Sequence, residues 1–300
     1  MWQKLLAFLN SWIEAQSLKK AKKINISSIK TVCFISGPYR NLSSLTASIS
    51  ALHPNCQVLN HASKRILNNS KIDFFTSYSQ EKFNLFIKYA ILLSKSGKRG
   101  RFGGSITFSH AFDNAILKKL YQKRFGNSLV KKDIQSLIWK ESLYLEQYLK
   151  KNKINLSQFI KNYQKIKFLL PIRNPLDCAI SNKKTNLALI YPNVNADSSV
   201  SDIVKIILDD FITFFKYAKK HPNHFLCFFQ HSFTKDTLAQ ICQHLDITPD
   251  KQWEEDVLKV FKINPSYIHE KKDILFYKKY IKTHFQEFPK KQKELLGFLD

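Results

Sequence analysis

Apolar residues follow two periods along the chain. Short, almost unbroken apolar runs stand at residues 31–36, 57–59, 136–139, 165–172 and 224–229, and each predicts a buried β-strand. Between them the apolar positions recur at helical spacing, over residues 43–52, 81–95, 111–125, from Pro175 onward, 199–219 and 234–245. The remainder, to Asp300, reads as helical and Lys-rich. Buried strands alternating with helices predict an α/β fold: a single domain with a central parallel sheet flanked by helices.

Residues 1–24 stand apart from the domain expected over 25–300. Trp2, Leu5, Leu6, Phe8, Leu9, Trp12 and Ile13 recur at helical spacing and lead into Lys19, Lys20, Lys22 and Lys23. No run of eighteen apolar residues occurs, so no spanning helix is expected. The stretch also lacks the unbroken apolar centre and small-residue cleavage site of a secretory signal. Two readings remain for this amphipathic helix: docking on the domain or a partner, and peripheral contact with an anionic membrane surface.

Composition changes the picture mainly through charge. With 44% hydrophobic and 13% aromatic residues in 300, disorder is excluded. The 48 Lys and Arg against 23 Asp and Glu leave a net charge of +25, which favours a polyanionic partner. No helix-turn-helix, zinc-finger or RNP-type signature accompanies that charge, so specific nucleic-acid binding is not expected. The five cysteines, Cys33, Cys56, Cys178, Cys227 and Cys242, form no C-x-x-C pair. They read as core thiols of a reducing compartment, the cytoplasm, with neither a metal site nor a disulfide framework. Four of only seven glycines fall at 97, 100, 103 and 104, around Lys98, Arg99 and Arg101, the pattern of a mobile basic lid.

Two strand-to-helix junctions carry anion-binding chemistry. In Ser36-Gly37-Pro38-Tyr39-Arg40-Asn41-Leu42-Ser43-Ser44 the chain leaves a strand and enters a helix, a P-loop-like unit whose first amides face outward. Arg40 would add a bidentate charge, and Ser43 and Ser44 two hydroxyls. The Gly-Lys-Ser/Thr ending of nucleoside-triphosphatase P-loops is absent. In the second, Arg173-Asn174-Pro175-Leu176-Asp177, a strand ends in an arginine and Pro175 opens a helix that carries Ser181.

Together these segments resemble the PAPS-dependent sulfotransferases, which use 3′-phosphoadenosine 5′-phosphosulfate as donor. That family has a Pro-x-x-Gly-Thr-Thr or Arg-Ser-Gly-Thr-Thr type loop for the 5′-phosphosulfate. A later Arg-Asn/Asp-Pro-x-Asp, with a Ser six residues after the Pro, serves the 3′-phosphate. The resemblance covers roughly residues 30 to 250 and marks this chain as a divergent member: Leu42 stands where the family has Gly, and Asn41 replaces Ser. It implies a donor site of Arg40, Asn41, Ser43, Ser44, Arg173 and Ser181. It also implies sulfuryl transfer to a hydroxyl of a glycan, lipid or small molecule. Ile138-Trp139-Lys140-Glu141-Ser142 matches the family's strand beside the acceptor, so Glu141 and Lys140 become catalytic candidates. His110, just after the glycine stretch, is a third. The alternative is a non-catalytic relative that binds a polyanionic glycan or lipid, favoured by Leu42 and by Gln230-His231-Ser232-Phe233, where the family has an acidic pair.

Overall fold

The computed structural model describes residues 2–97, 103–263 and 267–299, with side chains from residue 12 onward. Among the described residues six strands form one sheet: β1 (Thr31–Ile35), β2 (Cys56–Asn60), β3 (Gly104–Ser105), β4 (Ser136–Lys140), β5 (Ile166–Ile172) and β6 (Phe225–Phe229). Their spatial order is β3-β2-β4-β1-β5-β6. All the neighbouring pairs are parallel except β2–β3. Among the described residues the helices are α1 (Trp2–Lys22), α2 (Ser43–Ala51), α3 (Ser63–Ile66), α4 (Gln80–Leu93), α5 (Ala115–Phe125), α6 (Leu143–Lys151) and α7 (Leu156–Asn162). They continue with α8 (Pro175–Lys184), α9 (Val200–Lys220), α10 (Lys235–His244), α11 (Lys251–Val260), α12 (Lys271–His284) and α13 (Pro289–Leu296). The α/β architecture with a central, mainly parallel sheet is thus the one the periodicity predicts.

The strands are continuous apolar runs because both faces of the sheet are covered. In β1, Val32 and Phe34 enter one core while Cys33 and Ile35 enter the other. Phe34 sits at the centre of the first, its ring 5.5–6.3 Å from those of Phe75, Phe86, Trp139 and Phe168. The second holds Ile138 and Leu169 of the flanking strands together with Ala47 and Trp253. Four cysteines are buried and the fifth, Cys227, is half-buried.

Three local details differ from the sequence pattern. The helix expected from residue 111 starts at Ala115, because the Asn114 side chain accepts from the Ile116 and Leu117 amides at 2.9 and 3.2 Å. The residues before it form two 3₁₀ turns, Ile106–Phe108 and His110–Asp113. An edge strand not visible in the pattern, β3, pairs Gly104 and Ser105 with Asn60 and Leu59. The basic lid stretch at 98–102 lies outside the described residues. Among the described residues no helix is long and apolar enough to cross a membrane.

Candidate functional site

A cleft of about 550 Å³ opens at the C-terminal ends of β2, β4, β1 and β5, where parallel sheets place their ligands. It gathers Arg40, Ser43, Ser44, His110, Lys140, Glu141 and Arg173. Asn41 and Ser181 are fully buried beneath it and do not line it.

The loop after β1 is shaped by its backbone. Gly37 has φ +100°, and a Cβ there would stand 2.6 Å from Leu170 Cδ1 and 2.9 Å from Asn41 Nδ2, so only glycine fits. Its amide donates to Glu146 Oε1 of α6 at 2.5 Å, and is therefore committed away from the cleft. Burial, with the Asp210 carboxylate adding, pushes the Glu146 carboxyl up to about 7. Arg40 and Leu42 both have φ +62°, the left-handed region. For a leucine that conformation costs about 1–2 kcal/mol, which is the physical reason glycine suits position 42. No side chain caps α2, and its first turn, Ser43 to Leu45, lines the cleft. Uncapped amides at that turn give the cleft a positive end.

The second junction is built on a proper cap. Asn174 Oδ1 accepts from the Leu176 amide at 3.0 Å and Pro175 occupies the first turn of α8. Arg173 Nη2 pairs with Asp177 Oδ2 at 3.2 Å, and Asp177 Oδ1 meets His269 Nε2 at 2.8 Å. Asp177 therefore holds the Arg173 fork in one orientation at the cleft wall.

Buried polar groups knit the two junctions together. Asn41 Oδ1 accepts from the Arg173 amide at 2.9 Å and its Nδ2 donates to the Pro171 carbonyl at 2.5 Å. Arg40 Nε donates to Ser181 Oγ at 2.8 Å, Arg173 Nη1 reaches the Arg40 carbonyl at 3.5 Å, and Asn182 Nδ2 reaches that of Tyr39 at 2.7 Å. Asn41 and Ser181, expected as direct anion ligands, thus spend these polar atoms on the loops and on Arg40.

The opposite wall contains a chain of three titratable side chains. Lys140 Nζ lies 3.2 Å from His61 Nε2, and His61 Nδ1 lies 3.6 Å from Glu141 Oε1. The other Glu141 oxygen accepts from the Ser63 amide at 3.1 Å. Burial pushes the Lys140 ammonium down to about 8, with Glu141 opposing the shift. Burial, and then the Glu141 carboxylate, hold the Tyr39 phenol above its usual range. His61 is the site residue the sequence reading passed over. It stands just past the end of β2 with φ +57°, fixed by its amide to the Lys140 carbonyl at 3.0 Å. Trp139 Nε1 donates to the His61 carbonyl at 2.6 Å. Its signal was its place beyond a predicted parallel strand. His110 lies on the rim, its side chain 75% exposed and 3.8 Å from Asp113.

No known family description matches the chain, and no curated protein matches it in sequence. Among solved structures, the sulfotransferase domain of the Synechococcus PCC 7002 olefin synthase is similar at 12% identity. That likeness covers 78% of each chain with a TM-score of 0.39. Mouse sulfotransferase SULT7A1, complexed with PAP, is similar at 10% identity over 94% of this chain and 92% of that one, with a TM-score of 0.45. Likenesses this distant leave the ligand to be argued from the cleft itself.

Proposed function

We propose that this chain transfers a sulfuryl group from 3′-phosphoadenosine 5′-phosphosulfate to a hydroxyl acceptor. The observation that carries the reading is the meeting of Arg40 and Arg173, from two separate strand–loop–helix junctions, in one cleft with Lys140, His61 and Glu141. Two fixed guanidiniums in one cleft suit a ligand with two separated phosphates. Arg173 would take the 3′-phosphate, and Arg40 with the first turn of α2 the 5′-phosphosulfate.

Sulfuryl transfer, like phosphoryl transfer, proceeds through a loose in-line transition state, where positioning and charge stabilisation dominate. Lys140 faces the charge that gathers on the sulfonate oxygens. The acceptor hydroxyl must lose its proton as its oxygen bonds to sulfur and the sulfur–oxygen bond to the nucleotide breaks. Of the bases that line the cleft, the role falls to His61, 27% exposed, whose Nε2 would take the proton as Lys140 Nζ, 3.2 Å away, turns to the sulfonate oxygens; Glu141 steadies the imidazolium that forms. Ser181 and Asn41 act one step back, holding Arg40 and the loop.

Isothermal titration with 3′-phosphoadenosine 5′-phosphate tests the donor site. Saturable heat at sub-millimolar ligand, lost in Arg173→Ala, is expected; no heat, or unchanged affinity in that variant, overturns it. A second reading, a non-catalytic binder of a polyanionic glycan or lipid, is favoured by one observation. The Leu42 side chain lines the cleft at the loop position best suited to glycine. Transfer of labelled sulfate to any hydroxyl acceptor removes that reading.

A further inference from the structure

Over residues 12–22, where its side chains are described, the first helix is docked on one side. At about 100° per residue, Glu14, Leu18 and Ala21 fall together on one face of α1. Leu18 and Ala21 are buried in the core, and Glu14 bonds to the Asn69 side chain. Trp12, Ile13, Lys19 and Lys20 fall within an arc of about 120° on the opposite side. Trp12 is 56% and Ile13 52% exposed, and Lys19, Lys20, Lys22 and Lys23 are all exposed. Two large apolar side chains thus project to solvent from the same side of a helix as a lysine cluster one to two turns away. Between residues 12 and 24 the only acid is Glu14, turned to the other face.

We infer that this outward face of α1 docks the protein on the surface of an anionic lipid bilayer. The chemistry matches in both parts. A tryptophan and an isoleucine can enter the headgroup region, while lysines alongside remain with the lipid phosphates. A nucleic acid would use the lysines and leave Ile13 in water. The docked face of the same helix anchors it to the domain, so lipid binding positions the whole protein at the surface.

Co-sedimentation of the full chain with vesicles of phosphatidylcholine alone, and with phosphatidylglycerol added, tests the inference. Binding is expected only to the phosphatidylglycerol vesicles, and to weaken as salt is raised. Lys19→Ala with Lys20→Ala should lower the partition constant roughly 30-fold, at about 1 kcal/mol for each lysine. Trp12→Ser with Ile13→Ser should lower it at least about tenfold. The melting temperature of both variants should stay at the parent value, since none of the four side chains packs inside. On vesicle binding, emission from Trp12 should shift to the blue, read as the difference between the parent and Trp12→Phe. Trp139 and Trp253 are already buried and do not contribute to that shift. Four results overturn the inference: no binding to anionic vesicles; equal binding to neutral ones; binding that survives the Trp12 and Ile13 changes; or a dimer in light scattering that those changes dissociate. The inference stands or falls independently of the donor site, because the nucleotide titration reads a separate cleft.

Discussion

Arg40 and Ser181 are joined by a 2.8 Å hydrogen bond across 141 residues of chain. The arginine stands in the loop after β1 and the serine in the middle of α8. The bond therefore sets the spacing of the two junctions as well as the aim of one guanidinium. Ser181→Ala would remove the acceptor that aims Arg40 Nε, an exposed side chain that water can reach, at about 0.5–1.5 kcal/mol. Titration with 3′-phosphoadenosine 5′-phosphate should then show affinity weaker by about two- to tenfold. Affinity equal to the parent's would mean that Arg40 needs no such support.

Leu42→Gly removes both the left-handed strain and a side chain from the cleft wall. Relief of about 1–2 kcal/mol is offset by the roughly 0.5–1 kcal/mol that glycine loses in backbone freedom. The melting temperature should therefore move by only a few degrees, while nucleotide affinity rises severalfold. A variant that binds no more tightly would show that Leu42 does not obstruct the ligand.

The sheet was legible because its strands are apolar throughout, a pattern that survives without any knowledge of neighbours. The cleft was legible in part, since Arg40, Arg173, Lys140 and Glu141 stand at strand ends or just beyond them, and Ser43, Ser44 and His110 in the helical turns that follow. Asn41 and Ser181 show where reading along a chain stops. Each has a polar side chain at a promising spacing, yet each is buried by a partner more than a hundred residues away, Arg173 in one case and Arg40 in the other. His61 was hidden for the converse reason. A single histidine past a strand end carries no periodicity, and its neighbours Lys140 and Glu141 reach it only through the β2–β4 pairing. Edge strand β3 is two residues long, too short for any alternation to register.

Two buried groups predict stability slopes of opposite sign. Lys140 titrates near 8 when folded and near 10.5 when unfolded, so the unfolded chain holds more protons between those values. Stability should rise there by up to about 1.4 kcal/mol per pH unit. The cost of the buried charge is fully present below pH 8 and fades above it. Urea unfolding of the parent minus Lys140→Met, followed from pH 8 to 10.5, reads this slope directly. A flat difference would place the ammonium in water.

Glu146 runs the other way. Its folded value near 7 exceeds the unfolded 4.5, so the folded protein holds the extra proton and stability should fall as pH rises between them. Glu146→Gln keeps an oxygen for the Gly37 amide and carries no charge. The difference between parent and variant should open steadily from pH 4.5 to 7 in favour of the variant. Equal stabilities at pH 7 would contradict a carboxylate held dry behind the loop.

Gly37→Ala should be the most damaging single change in the loop. The added methyl meets Leu170 Cδ1 and the Asn41 amide at a φ of +100°. A loss of at least about 2 kcal/mol is expected in denaturant unfolding, together with loss of nucleotide binding. A variant with the parent's midpoint would mean the loop follows another path.

The order of strands has a consequence for how such a protein can change over generations. Strands β1 and β5 carry the arginine loops, and β2 and β4 carry Lys140, His61 and Glu141; the β1–β4 ladder is the seam between them. The arginine half is locked by Asn41, Ser181 and Asn182, so most substitutions there disturb several contacts at once. The histidine half is bounded by the short edge strand β3 and the 3₁₀ turns around His110, where the Ser105 hydroxyl bonds locally to Thr107 rather than across to a distant loop. Selection can therefore reshape what enters from that side while the paired arginine loops are inherited intact.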